Sequence, residues 1–170
     1  MSDIITEVFK YQKGWTGGLP ETPCGSGSTL RETKQQRQWI PEIVKKYGIK
    51  SIADIGAGDL NWIKKTDLGD VEYTAYDLVP RDPSVKPFDL IKDIPPRVDL
   101  IMCLWVLNHF PFDHCQKAIE NLKAGGAQYL MMTDRPRYHK DQPPEIHMEA
   151  IETLILKGST KDSIKLIRLC

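Results

Sequence analysis

The sequence is short of the features that mark several large functional classes. It has no basic excess: lysine plus arginine equals aspartate plus glutamate, 23 of each. Proteins that bind nucleic acid by neutralising phosphates usually carry one. A local basic patch stays possible, so charge balance lowers that class without removing it. No apolar run approaches the roughly 18 residues of a membrane-spanning helix. The first residues, M-S-D-I-I-T-E-V, hold neither a basic region nor a cleavage site. The expectation is a cytoplasmic protein with no membrane partner. Cys24, Cys103, Cys115 and Cys170 form no C-x-x-C pair, which argues against zinc and against a disulfide framework. No metal is expected. Internal repeats and low-complexity stretches are also missing. What is present is ordinary for a globular chain: 170 residues, 41% hydrophobic and 27% charged, the size of a single domain. Residues 1–170 are read as one domain, with 1–28 an N-terminal helix and glycine-rich lid and 29–170 an α/β core.

The stretch from Ile49 to Trp62 organises the chain. Ile49–Asp54 is a short apolar run with β-branched residues, as in a buried parallel strand, although periodicity alone does not separate it from a helix. Gly56 and Gly58 flank Ala57, allowing a sharp turn and a close approach of ligand to backbone. Leu60, Trp62 and Ile63 read as the start of a helix whose first N–H groups face the loop. This is the first half of a nucleotide-binding βαβ unit. The dinucleotide fingerprint G-x-G-x-x-G fails, because Asn61 stands at its third glycine. A P-loop fails too, for want of a Lys-Ser/Thr pair. Instead Asp54 stands at the strand end and Asp59 just past the glycines. An acid there repels phosphates and suits a cationic ligand. S-adenosylmethionine carries an ammonium and a sulfonium and has no pyrophosphate. The segment resembles the first motif, D-x-G-x-G, of class I S-adenosylmethionine-dependent methyltransferases; a tight turn after a core strand is the alternative.

The remaining chain is read in order. Residues 1–13 form an amphipathic pattern through Ile4, Ile5, Val8 and Phe9. Gly14–Leu30, with five glycines and two prolines, is a long loop. It is expected to be a lid, closing over a cofactor through its amides and the hydroxyls of Ser26, Ser28 and Thr29; a linker is the alternative. Ser28 or Thr29 caps a helix to Tyr47, with Glu32 placed for a capping box and Gly48 for the C′ position. Pro41 predicts a kink, or two helices meeting near Trp39–Ile40. Val71–Tyr76 reads as a strand ending in Asp77, which lies 19 residues after Gly58. An acid at that place accepts hydrogen bonds from ribose hydroxyls in dinucleotide sites. Leu78–Lys86 shows no helical pattern, so one crossover helix is expected to be missing. Val85–Leu90 reads as a brief irregular strand. Asp99–Trp105 is the central fourth strand, which puts V-L-N-H-F-P-F at its carboxyl end, where ligands bind in open α/β sheets. Asp113–Lys123 is a helix with Cys115, Ala118, Ile119 and Leu122 on one side. Ala127–Thr133 is a fifth strand, followed by a charged loop. Residues 144–157 read as helical, and Ser163–Leu169 as a final strand.

The segments G-S-G-S-T-L, A-D-I-G-A-G-D-L-N-W, D-L-I-M-C-L-W-V-L-N-H-F and A-Q-Y-L-M-M-T, in that order, resemble a phage and bacterial group of class I methyltransferases over roughly residues 15–135. The resemblance implies a Rossmann-like α/β fold, a mostly parallel central sheet with helices on both faces, in a minimal version expected to lack one crossover helix, with a terminal strand the other candidate for omission. It implies S-adenosylmethionine as cofactor, held by Asp54, Gly56, Ala57, Gly58, Asp59, Trp62, Asp77, Leu78, Asp89, Leu90, Leu104 and Trp105, with Ser26, Ser28 and Thr29 from the lid. Asp89 falls where the family binds the adenine amino group, and Leu90 would flank the ring. W-V-L-N-H-F is similar to the fourth motif of methyltransferases acting on small molecules or proteins. It lacks the N-P-P-Y or D-P-P-Y of enzymes that methylate base amino groups in nucleic acids. In-line displacement rests on positioning the acceptor. An oxygen acceptor also needs a base, and His109 is the best-placed one, with Asn108 to orient it; a loop histidine packed beside Phe110 is the alternative. His139 is a second candidate base, and Arg135 and Arg137 are candidates for holding an acidic group. The expected activity is methyl transfer to an unidentified acceptor, a small molecule or protein before free nucleic acid. The alternatives are a catalytically silent cofactor-binding subunit, working with a partner subunit or as a homodimer, and a Rossmann-like enzyme using another nucleotide. Fold resemblance names no acceptor.

Overall fold

A computed structural model of the protein describes residues 20–134, 148–157 and 162–169. Seven strands form one sheet: β1 (Ser51–Ile55), β2 (Glu72–Asp77), β3 (Lys86–Pro87), β4 (Leu100–Cys103), β5 (Tyr129–Asp134), β6 (Ala150–Ile155) and β7 (Ser163–Arg168). Their order is β3-β2-β1-β4-β5-β7-β6. The first five run parallel, and β7 lies antiparallel to both β5 and β6. This is the Rossmann-like, mostly parallel sheet expected from the sequence. The N-terminal amphipathic segment, the part of the glycine-rich loop before Pro20, and Arg135, Arg137 and His139 lie outside the described residues.

Side-chain alternation builds two cores, one on each face. Ile52, Leu100, Met102, Met131, Ile164 and Leu166 point to one side and meet Ile40, Ile43 and Val44 of helix α1 (Lys34–Tyr47). Ala53, Ile55, Ile101, Cys103, Leu130 and Met132 point to the other and meet Cys115, Ala118, Ile119 and Leu122 of helix α2 (Phe112–Ala124). Both faces of β1, β4 and β5 are therefore covered, which is why these strands read as continuous apolar runs rather than alternating ones. At the amino ends of β1 and β4, Asp99 Oδ2 accepts the Lys50 and Ser51 N–H groups at 2.7 and 3.1 Å. The Asp99 N–H in turn donates to Ser51 Oγ at 2.9 Å. This small network sets the register of the two central strands.

Several expectations need correction. The helix expected over 144–157 is not formed in its described part: Ala150–Ile155 is the edge strand β6. Its apolar residues at 150, 151, 154 and 155 suit a period of 3.6 as well as a two-faced strand. Pairing with β7 decides for the strand, because Ile164 and Leu166 leave a ladder open on that side. No terminal strand is missing. The helix expected from Leu60 is reduced to one 3-10 turn at Ile63–Lys65. Leu60 itself sits at φ 61°, a left-handed conformation that an α-helix excludes. Helix α1 is not divided at Pro41. Buried Ile40, Ile43 and Val44 hold the turns on either side of it, against the loss of one backbone bond to the Arg37 carbonyl. The helix begins at Lys34 rather than Thr29, although Thr29 Oγ1 does accept the Glu32 N–H at 3.3 Å. Gly48 ends the helix at φ 63°, with the Ile49 N–H on the Val44 carbonyl at 3.0 Å, as a left-handed C-terminal residue should. Between β2 and β3 there is no helix, as read from the sequence.

Leu130 lies fully buried in β5 between β4 and β7. Leu130→Ala is expected to cost about 2–5 kcal/mol in urea unfolding. Ile151→Thr, on the exposed side of β6, should change stability by less than about 0.5 kcal/mol.

Candidate functional site

Strand order reverses between β1 and β4: β2 and β3 lie beyond one, β5 beyond the other. Carboxyl-end loops part at such a point and leave a crevice. Here the crevice is a cavity of about 860 Å³, walled by the turn at Ser26–Ser28, the loops after β1, β2, β3 and β4, and the end of β6.

The loop after β1 is shaped by hydrogen bonds to β2. The Gly56 and Ala57 N–H groups both donate to the Tyr76 carbonyl, at 2.8 and 3.0 Å. Asp77 then closes the turn. Its Oδ2 accepts the Gly58 N–H and its Oδ1 the Val79 N–H, each at 2.9 Å. Neither glycine is replaceable without strain. At Gly56, φ is 83° and a Cβ would stand 2.2 Å from Val106 Cγ2; at Gly58, φ is 63° and a Cβ would stand 2.8 Å from Cys24 Sγ.

Three carboxylates stand at the ends of successive strands on this cavity: Asp54, Asp77 and Asp89. Asp54 is buried, and its Oδ2 accepts the Tyr73 hydroxyl at 2.6 Å. Loss of water pushes its carboxyl up to about 7, against the lowering effect of that hydrogen bond, and nearby Asp77 raises it further. Burial also raises the Asp77 carboxyl, while the Val79 and Gly58 amides and Arg81 pull it back. Asp89 Oδ1 accepts the Ile91 N–H at 3.1 Å, and its Oδ2 pairs with Lys92 at 3.0 Å. Next to it, Leu90 is buried, and its carbonyl accepts Asn121 Nδ2 of α2 at 2.8 Å.

On the β4 side the chain leaves the sheet early. Trp105 takes φ 63°, and its N–H donates to Thr133 Oγ1 of β5 at 3.0 Å, so β4 ends at Cys103 and not at Trp105. A 3-10 turn, Leu107–His109, then carries Asn108 and His109 to the cavity wall. Asn108 Nδ2 lies 3.0 Å from His109 Nε2. Phe110 makes its edge-on ring contact with His114.

Of the residues singled out from the sequence, the cavity gathers Asp54, Gly56, Ala57, Gly58, Trp62, Asp77, Leu78, Asp89, Leu90, Leu104, Trp105, Asn108, His109, Ser26 and Ser28. Two do not reach its wall. Thr29 is buried beneath the loop, with Oγ1 donating to the Ser26 carbonyl at 2.9 Å. Asp59 makes a local turn, with Oδ1 accepting the Asn61 N–H at 3.2 Å. Sequence reading passed over Cys24, Arg81, Phe88, Val106 and Lys157, which also line the cavity. Cys24 and Val106 press on the two glycines, and nothing in their local sequence signals that. Burial pushes the Cys24 thiol up to about 11, so it packs as a neutral group. Asn61, the residue that breaks the dinucleotide pattern, has its own task. Its Nδ2 donates to the Ser28 carbonyl at 3.0 Å and to Glu21 at 2.8 Å, tying the upstream loop to the glycine turn. Among the described residues no group of three metal-ligating side chains exists, and no helix is long and apolar enough to cross a membrane.

No protein-family model and no curated protein sequence matches this chain. Solved structures share its fold. Magnesium protoporphyrin IX methyltransferase (ChlM) from Synechocystis, with S-adenosylmethionine bound, aligns with a TM-score of 0.66 at 14% identity, over 98% of this chain and 96% of that one. The N-methyltransferase NodS from Bradyrhizobium japonicum, in complex with S-adenosylhomocysteine, aligns at 0.65 and 14%, over 98% and 96%. The methyltransferase domain of bacterial CtHen1 aligns at 0.62 and 12%, over 82% and 98%. At these identities the likeness establishes the class I methyltransferase fold.

Gly56→Ala is expected to lower stability by about 1–3 kcal/mol, from left-handed strain and the Val106 contact. Adding Val106→Ala should recover the steric part and leave the strain, which a double-mutant cycle in urea would read as a favourable coupling. Asp54 offers a test in pH. Its folded pKa, about 7, lies above the ordinary carboxyl value of 3.8. Its contribution to stability is therefore full below pH 4 and lost as pH rises towards 7. Asp54→Asn should remove that slope and raise the melting temperature of the ligand-free protein at pH 7.5. A pH profile of melting temperature unchanged by the substitution would contradict this assignment.

Proposed function

We propose that the protein is an S-adenosylmethionine-dependent methyltransferase. The observation that carries this reading is the row of carboxylates, Asp54, Asp77 and Asp89, set around one cavity at the strand-order reversal beside a glycine turn that excludes side chains. A phosphate-bearing nucleotide would meet these acids unfavourably; a cation with a ribose and an adenine meets them well. The donor set fits the group. Asp54 would face its charged amino-acid end, Asp77 the ribose hydroxyls, and Asp89 with Leu90 and Phe88 the adenine, while Gly56 and Gly58 leave room for close backbone contact. The lone pairs of Asp77 not used by Gly58 and Val79 remain for the sugar. When bound, the cofactor supplies a methyl group on a positively charged sulfur.

The chain's own part is to hold and order the reactants. Leu104 and Trp105 close the cavity on the β4 side, and Asn108 with His109 stands where an acceptor would enter. For an oxygen acceptor, His109 Nε2 takes the proton, and Asn108 holds the ring in orientation until the acceptor displaces its amide. Proteins that share the fold carry names as different as a protoporphyrin methyltransferase and an N-methyltransferase, so the acceptor must be sought by experiment. A small molecule or a protein side chain agrees best with a chain of zero formal charge.

Calorimetric titration of S-adenosylmethionine and S-adenosylhomocysteine into wild-type protein and Asp77→Ala tests the reading. Both ligands are expected to bind the wild type, and the variant should bind at least tenfold more weakly, having lost the ribose acceptor and the Gly58 tether. Folded wild-type protein that binds neither ligand would refute it.

A further inference from the structure

We propose that Tyr73 is a positioning residue of this site: its hydroxyl holds the Asp54 carboxylate, in place and as an anion, for the ammonium of the ligand's amino-acid end. This rests on the cofactor reading above and deepens it.

The geometry comes from strand register. Asp54 pairs with Ala75 across the β1–β2 ladder, so Tyr73, two residues earlier, shares its face of the sheet. The Tyr73 ring packs against the core on the α1 side, and its hydroxyl reaches Asp54 Oδ2 at 2.6 Å. Among the described residues this is the hydrogen bond that the carboxylate receives. The other titratable groups acting on it are Asp77 from β2 and the Cys103 thiol from β4. From α1, the buried residues are Gln36, Ile40, Ile43 and Val44, none of which ionises. Among the described residues no cation acts on Asp54. Burial pushes the Tyr73 hydroxyl far above its usual range, so it stays a proton donor at every working pH.

Two consequences follow from this arrangement. A buried carboxylate without a cation is held ionised only by the hydrogen bonds it receives, here one. The ligand's ammonium completes the pair, so ligand binding and deprotonation of Asp54 are linked. Removing the hydroxyl leaves the acid protonated over a wider pH range and presents a neutral wall to the ligand.

The test is calorimetric titration of S-adenosylmethionine and S-adenosylhomocysteine, from pH 5.5 to 8.5, into the full chain as wild type, Tyr73→Phe and Asp54→Asn. The ligand's own ammonium titrates equally in all three, so the ratios between variants isolate the protein's part. Wild-type affinity is expected to rise with pH through about 7. In Tyr73→Phe the rise should move up by about one pH unit, giving roughly five- to tenfold weaker binding between pH 6 and 7. In Asp54→Asn it should be absent. Unchanged affinity in Tyr73→Phe, or equal weakening at every pH, would overturn the inference while leaving the cofactor reading intact. Failure of the wild type to bind either ligand at any pH would overturn both. Should Tyr73→Phe fail to fold, the Asp54 carboxyl carbon resonance of labelled wild type decides. Titration near neutrality in the free protein, moved to lower pH by S-adenosylhomocysteine, supports the inference; titration near 4 in the free protein overturns it.

Discussion

The site depends on one side chain, Asp77, accepting two backbone N–H groups. Through Gly58 it ties the turn after β1 to the end of β2, and through Val79 it shapes its own exit from the sheet. Without that double acceptor the glycine turn has only the Tyr76 carbonyl to define it. The geometry is self-reinforcing. The turn must pass so close to Val106 and Cys24 that only glycine fits, and glycine alone adopts the left-handed conformations the turn needs without strain. Each backbone bond thus compensates for the conformational freedom that two nearby glycines would otherwise keep.

The electrostatic character of the cavity follows from the same arrangement. Strands that end at one edge deliver their terminal acids to one place, and burial raises the carboxyls of both Asp54 and Asp77. Such a wall is costly while empty of positive charge and favourable once a cation arrives. Phosphate sites work the other way, with helix N-termini and bare amides offered to anions. Here the first crossover is a 3-10 turn too short to present a helix N-terminus to the glycine turn.

The described part of the fold uses few helices. One α-helix covers each face among the described residues, and seven strands keep the order that places the switch point between β1 and β4. Compensation comes from loops that bind each other. Asn61 joins the segment around Ser28 to the glycine turn, and Leu30 with Asn61 shares the Glu21 carboxylate. The residue that breaks the dinucleotide pattern is therefore the one that fastens a second wall of the cavity.

The strands with both faces covered were readable from the sequence, because burial on two sides demands unbroken apolar runs such as Leu100–Cys103 and Tyr129–Asp134. The glycine turn and the acids at strand ends were readable too, since their chemistry is local: a left-handed turn needs glycine, and a strand end sets where its last side chain stands. What depended on partners was not. Residues 150–155 fit either period until β7 offered an open ladder, and Leu60 broke its helix through a backbone conformation that no propensity announces. Thr29 and Asp59 have the right chemistry at the right spacing, yet their side chains satisfy neighbouring amides and carbonyls and leave the cavity to others. Cys24, Val106 and Tyr73 enter the site from other segments, through contacts that exist only after the sheet has formed. The sequence by itself determined the fold class, the glycine turn and the acids at the strand ends, all of which are properties of short segments. Tertiary structure alone decided which side chains face the cavity and which proton Asp54 shares, because distance and burial across strands are set by packing and not by spacing along the chain.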